Sequence, residues 1–281
     1  MKMLVMGGGK VGRAILENPG FADWDITVIE KNPEVAAYIE QNYDVMVVEG
    51  DQRDYLLLED CDVKNMDAVI SATSSDEMNI LSGLYAKKRG ARYAAVRFSD
   101  MLYDTDFMDF VQNDFDVDLI FNPSSISAER IINGCAGDEG AEHIKSVVLV
   151  GAGRTALYLT QLFLDRGYSV TAVVDNDEAG KDFADRVDDR VSVICDNDDD
   201  RHILETIDVS GEGAFVAVTN SESLNVMLAK YADNAGVPYT AALVSHNEIA
   251  ELGKALGIDE IISPRDVSDH VTKSLQEKNI S

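Results

Sequence analysis

The feature that most restricts this chain is a glycine-rich stretch that occurs twice, each time between a β-branched apolar run and a helical one. Met3-Leu4-Val5-Met6-Gly7-Gly8-Gly9-Lys10-Val11-Gly12 recurs as Val147-Val148-Leu149-Val150-Gly151-Ala152-Gly153-Arg154-Thr155-Ala156. The rest of the chain repeats in step. Ile26 to Glu30 recurs as Val170 to Asp175, and Asp67 to Thr73 as Gly213 to Thr219, each of the latter leading to an asparagine, Asn79 or Asn225. Tyr93 to Val96 matches Tyr239 to Ala242, and Asp118 to Pro123 matches Asp259 to Pro264. The offset stays at roughly 140–146 residues, far beyond the period of a solenoid repeat, so the chain is read as a duplicated domain.

Within each copy, short apolar strands alternate with amphipathic helical stretches, the pattern of βαβ units on a parallel sheet. Strands are expected near 2–6, 25–30, 45–48, 67–72, 93–97 and 118–121, and again near 146–150, 169–174, 191–194, 213–218, 239–243 and 259–262. The expected fold is therefore α/β, two tandem Rossmann-like domains with doubly wound parallel sheets. The polar, glycine-rich run Gly134 to Gly140 marks a linker, giving domains at 1–133 and 144–281 joined by 134–143. A chain of 281 residues is long enough for two such cores.

Charge removes several partners. With 51 acidic residues against 24 basic, the net charge is −27, and a surface so negative repels nucleic-acid phosphates and anionic lipid. It also fits a salt-loving source, in which salt screens the self-repulsion. No apolar run approaches the roughly 18 residues that span a bilayer, and Met1 leads directly into a strand, so a cytoplasmic protein without a signal peptide is expected. Cys61, Cys135 and Cys195 have no metal-ligand spacing and read as reduced thiols.

The candidate sites follow from the glycine loops. Gly7-Gly8-Gly9-Lys10-Val11-Gly12 fits G-x-G-x-x-G, with Glu30 ending the next strand at the spacing of a dinucleotide fingerprint. Gly7 would permit the tight turn, Gly9 the approach of backbone to a pyrophosphate, and Gly12 close helix–strand packing, with the helix N-terminus facing the anion. Glu30 would accept from the ribose hydroxyls and repel a 2′-phosphate. In the second copy Gly151, Ala152, Gly153, Arg154 and Thr155 form the loop, Ala156 takes the third glycine position and Asp175 is the acid. Strand C-terminal ends should line the same crevice: Asp51, Gln52, Thr73, Ser74 and Arg97 in the first copy, Asp196, Asn197, Thr219 and Asn220 in the second. Arg97 could pair with a phosphate or with a neighbouring carboxylate. It aligns with Leu243, so the two sites should differ.

The loop Gly7–Gly12, Val48-Glu49-Gly50-Asp51, Ser71 to Asn79, Val96-Arg97 and Asn122-Pro123, with their counterparts around Gly151, Val218 to Asn225 and Ser263-Pro264, resemble the TrkA family of potassium-uptake regulators, built on the N-terminal halves of RCK domains. That resemblance implies a regulatory subunit that binds NAD(H) or ATP/ADP, assembles into a homo-oligomeric ring and acts on an integral-membrane potassium transporter. It places nucleotide contacts at Gly7 to Val11, Glu30, Thr73-Ser74 and Arg97, and at Gly151 to Thr155, Asp175 and Thr219-Asn220. Three departures stand out: no smaller subdomain follows either copy, Ser223 replaces Glu77, and Cys195 aligns with Gly50.

Two other readings remain: an NAD-dependent oxidoreductase and a ligand-free Rossmann scaffold. A dehydrogenase needs room for a second substrate, and the six-strand units are expected to leave none. His143, His202, His246 and His270 have no acid–base partner at recognisable spacing and read as surface residues, so no catalytic residue is assigned. The run Asp196 to Asp200 lacks the spacing of a calcium loop, so no metal site is expected. Ile80, Leu81, Leu84 and Tyr85, like Val226, Met227 and Tyr231, form helical stripes expected to pack on the sheets, with any surplus serving oligomer contacts.

Overall fold

A computed structural model describes residues 1–99, 114, 116–136, 144–174, 177–195 and 213–280. It contains two six-stranded, all-parallel sheets. The first comprises β1 (Lys2–Met6), β2 (Asp25–Glu30), β3 (Met46–Glu49), β4 (Ala68–Ser71), β5 (Tyr93–Arg97) and β6 (Leu119–Phe121), in the order β3-β2-β1-β4-β5-β6. The second comprises β7 (Ser146–Val150), β8 (Ser169–Val174), β9 (Ser192–Cys195), β10 (Gly213–Ala217), β11 (Tyr239–Leu243) and β12 (Glu260–Ile262), in the equivalent order. This is the doubly wound α/β topology expected, and every strand lies within two residues of its expected bounds.

The central strands, such as β1, β4 and β10, are apolar because both of their faces are covered, whereas the outer strands β3 and β9 are only partly buried. Alternate residues of β1 and β4 serve opposite faces: Leu4, Met6 and Val69 join Leu58, Val63 and Ala86 in one core layer. In the second sheet Leu149, Ala172 and Val216 pack with Leu159 and Phe163 of the helix Arg154–Asp165. Helices α1 (Lys10–Leu16), α2 (Pro33–Asn42), α3 (Tyr55–Asp60) and α4 (Asp76–Arg89) connect the first sheet. Local capping starts three of them: Asn32, Asp54 and Ser75 accept from the first-turn amides of α2, α3 and α4.

The chain divides into compact units that differ from the boundaries expected. One unit is Met1–Pro123 with Pro264–Ser281, the other Ser124–Ser263. The helix Pro123–Ala136 therefore belongs with the second sheet, where Ala128, Ile131, Ile132 and Cys135 enter its core. The helix Pro264–Glu277 belongs with the first, where Asn18 Nδ2 donates to Ser268 Oγ and Asp269 Oδ1, both at 2.9 Å, and Tyr93 Oη donates to Ser274 Oγ at 2.7 Å. The expected linker also begins too early. Gly134 is helical, and it is a glycine because an added Cβ would lie 2.2 Å from the Tyr239 hydroxyl. Residues 137–143 of that linker lie outside the described residues.

The helix stripes are only partly buried. Ile80 and Val226 are covered, whereas Leu81, Met227 and Tyr231 at the neighbouring turn positions are exposed. Among the described residues no helix is long and apolar enough to cross a membrane. Cys61, Cys135 and Cys195 are free thiols, the first two buried, and burial pushes Cys135 up to about 12.

Candidate functional site

The carboxyl ends of β1 to β5 open onto a cleft of about 1000 Å³ in the first unit. Of the residues expected there, Gly7, Gly9, Glu30, Asp51, Gln52, Thr73, Ser74 and Arg97 line it. The other loop residues serve its frame. Gly7 has φ +100°, and a Cβ there would lie 3.0 Å from the Thr73 methyl, so the turn requires glycine. A Cβ on Gly12 would stand 2.0 Å from the Gly7 carbonyl oxygen, so the contact it permits is between helix and loop backbone. Gly8 is packed under Ile39 and Val11 is buried. Gly9 faces open space, as a cradle for a ligand would.

Gly9 caps α1 without a side-chain hydrogen bond, and Gly153 does the same for the helix Arg154–Asp165. Each of these helices then begins with a cation, Lys10 or Arg154, and neither has an acid in its first turn. A positive charge at a helix N-terminus opposes the macrodipole, so this arrangement is suited to an anion from outside.

Glu30, at the end of β2, is fixed by backbone: its two oxygens accept from Gly8 N at 2.6 Å and Asn32 N at 2.7 Å. Each oxygen keeps a second lone pair with which to accept a ligand hydroxyl. Asp51 is held by Arg53 (2.6 Å) and Lys31 (2.8 Å), and the hydrogen bond from Arg53, then that from Lys31, keeps its carboxyl well below the usual range. Arg97 Nε donates to Ser99 Oγ at 3.0 Å.

Below the cleft lies a polar network built on Asn79, whose side chain is fully buried. Its Nδ2 donates to the carbonyls of Thr73 (3.1 Å) and Arg97 (3.0 Å), tying the end of β4 to the end of β5. Gln52 Nε2 donates to Thr73 Oγ1 at 2.8 Å and so adds the end of β3. The second unit repeats this clamp, with Asn225 Nδ2 donating to Thr219 O at 3.1 Å and Leu243 O at 2.7 Å.

Sequence reasoning missed Lys31, Asn32, Arg53, Ser75 and Met78, which also line the cleft. Asn32-Pro33 carries a signal that could have found one of them, a helix cap directly after the acid-bearing strand. Lys31 and Arg53 carry none, since their place at the rim depends on how β2 and β3 end.

The two copies are less alike than their alignment. Gly7 N donates to Ile29 O and Gly151 N to Val173 O, both at 2.9 Å. The residue in register with Glu30 is therefore Val174, which is buried, and Asp175 comes one position later. By the same register Cys195, opposite Val174, matches Glu49, opposite Glu30; it does not match Gly50. Gly151 keeps its positive φ of +127°, and Thr219 keeps its place at the end of β10. Asp175, Asp196, Asn197, His143 and His202 lie outside the described residues. His246 pairs with Glu222 and His270 is exposed. Among the described residues no group of three His, Cys, Asp or Glu side chains could hold a metal ion.

Comparison with known proteins matches residues 3–123 and 147–264 to the TrkA-N domain model. A curated relative, the Trk system potassium uptake protein TrkA homolog of Pyrococcus abyssi, is 30% identical over 135 residues, 47% of this chain and 58% of that protein. The Trk system potassium uptake protein TrkA of Haemophilus influenzae is 26% identical over 134 residues, 29% of its length. This chain thus spans under two thirds of those relatives. The TrkA homolog of Archaeoglobus fulgidus is 22% identical across 100% of this chain and 82% of its own. Among solved structures, GsuK bound to ADP has a TM-score of 0.78 at 15% identity, covering 99% of this chain and 69% of that one. The GsuK channel bound to NAD has a TM-score of 0.75 at 13% identity, covering 99% and 64%. At these identities the likeness is one of fold.

Proposed function

The chain belongs to the TrkA-N domain family, and we propose that it is a cytoplasmic, nucleotide-binding regulatory subunit of a membrane potassium-uptake system. The observation that carries this reading is the first unit's cleft, where an open glycine loop, a helix N-terminus without a side-chain cap and a backbone-fixed Glu30 converge. The glycine loop and the amides of α1 would take a pyrophosphate. Glu30 would accept from ribose hydroxyls, and its charge disfavours a 2′-phosphate. The ligand is then NAD(H) or ADP/ATP, in keeping with the GsuK structures described with ADP and with NAD.

The nucleotide would act as a signal and not as a reactant. The polar groups at the floor of the cleft, Gln52, Thr73 and Asn79, bond to one another and present no acid–base pair. For switching, the ligand must favour one arrangement of the protein over another, and a coupling of roughly 1–3 kcal/mol suffices for a regulator. Self-association into a ring, with a membrane potassium transporter as partner, is supported by the family. It is also supported by the exposed apolar side chains that both copies carry on the same helix, Leu81 in one and Met227 with Tyr231 in the other.

The test is small-angle scattering and sedimentation of the purified chain with and without saturating NADH or ADP. A ligand-dependent change in particle size or shape is expected. Binding that leaves both unchanged contradicts the switching role.

A further inference from the structure

We propose that Ser71 is a positioning residue for the nucleotide cleft, acting through Asn79 to free the Thr73 hydroxyl for the ligand. The inference rests on the nucleotide-binding reading above. Asn79 Oδ1 is oversubscribed: Thr73 Oγ1 (2.7 Å), Ser71 Oγ (3.0 Å), Thr73 N (3.1 Å) and Gln52 Nε2 (3.4 Å) all point at it. A carbonyl oxygen has two lone pairs, so one of these donors can leave without stranding it.

Thr73 is the donor placed to leave. Thr73 lines the cleft, and its hydroxyl already accepts from Gln52 Nε2, so its single proton is what it can offer a ligand. Ser71 Oγ also has one proton and two takers, Asn79 Oδ1 at 3.0 Å and Gln52 Oε1 at 3.1 Å. When the Thr73 proton turns to the ligand, that of Ser71 and the Thr73 amide are the two nearest donors left to the two lone pairs of Asn79, ahead of Gln52 Nε2 at 3.4 Å. The penalty for an unmade buried acceptor is avoided. Gln52, whose Oε1 gives up Ser71, is itself buried and lines the cleft, so the exchange requires a ligand group to replace Ser71 at that oxygen.

The second copy provides the contrast. Asn225 Oδ1 accepts from Thr219 N (2.9 Å) and Thr219 Oγ1 (2.6 Å), but β10 ends in Ala217 where β4 ends in Ser71. Ser71 thus sorts with Glu30 and Arg97, whose partners in register are Val174 and Leu243. Because alanine already occupies this position in one copy, Ser71→Ala is a substitution the fold accommodates.

The experiment is calorimetric titration of NADH and of ADP into wild type, Ser71→Ala, Thr73→Val, the double variant and Ala217→Ser. Thr73→Val is expected to bind about tenfold more weakly, the loss of one hydrogen bond. Ser71→Ala should weaken binding about three- to tenfold on its own and not at all in the Thr73→Val background, and Ala217→Ser should bind as wild type. Undiminished affinity in Ser71→Ala or in Thr73→Val overturns the proposal, as does the same loss from Ser71→Ala with and without the Thr73 hydroxyl. In either case the nucleotide-binding reading survives. A wild type that binds neither ligand removes the reading itself, and the proposal with it.

Discussion

Gly12 and Ala156 occupy equivalent positions, yet an added Cβ on Gly12 would meet the Gly7 carbonyl oxygen at 2.0 Å while the Ala156 methyl is already buried in place. The first copy has its loop and helix closer than a methyl allows, and backbone on both sides leaves no flexible side chain to yield. Gly12→Ala should destabilise the first unit by about 1–3 kcal/mol, the usual cost of overpacking. Ala156→Gly should cost no more than the intrinsic helix penalty of about 1 kcal/mol plus the small cavity left behind. Urea unfolding of the two variants checks this, and equal effects would contradict it. At this scale the sequence was informative about Gly7, Glu30, Thr73 and Arg97, since each sits at a strand end whose position the apolar pattern gives away. It was uninformative about Lys31 and Arg53, brought to Asp51 by chain geometry, and misleading about Asp175. An alignment by residue type matched acid to acid, whereas the hydrogen-bond register puts Val174 level with Glu30.

Among the elements, the twelve strands of the described residues were legible because a strand covered on both faces, as the central ones are, must be apolar along its length, and turn residues bound each run. The helices Pro123–Ala136 and Pro264–Glu277 were legible as helices but not in their allegiance. Amphipathic spacing tells which face of a helix is covered, not which sheet covers it. Both follow the sixth strand of their copy, and each belongs to the other unit. A chain ending at residue 263 should therefore destabilise the first unit, which loses the buried Val267, Val271 and Leu275 and the bonds to Asn18 and Tyr93. Hydrogen exchange would show lost protection in β1 and α1, with β7 to β12 protected as before. Loss confined to the second unit would contradict the division described. Helix α4 and its counterpart make a related point: Ile80 and Val226 are buried, while Leu81 and Met227 beside them are exposed, a difference that spacing alone does not resolve.

At the scale of the molecule, charge and the first unit's cleft are the two features with consequences for behaviour. With 27 more acids than bases, most carboxylates have no cation to pair with. Among the described residues most ion pairs, such as Arg89 with Glu59 and Arg92 with Asp67, have an exposed cation and are each worth little, Lys87 with Asp118 being largely buried. Self-repulsion therefore outweighs pairing, and salt relieves it as the screening length falls from about 10 Å at 0.1 M to about 3 Å at 1 M. The thermal midpoint should rise with potassium chloride across that range, and a midpoint that is flat or falls would contradict this balance. We propose that the first unit's cleft binds an adenine nucleotide through its glycine loop and Glu30. The most direct test is calorimetric titration of NAD, NADH, ADP and ATP into wild type and Glu30→Ala. Saturable binding of at least one of the four is expected, weakened at least about tenfold in the variant while its unfolding remains cooperative. No binding of any of them, or binding that Glu30→Ala leaves untouched, would contradict it.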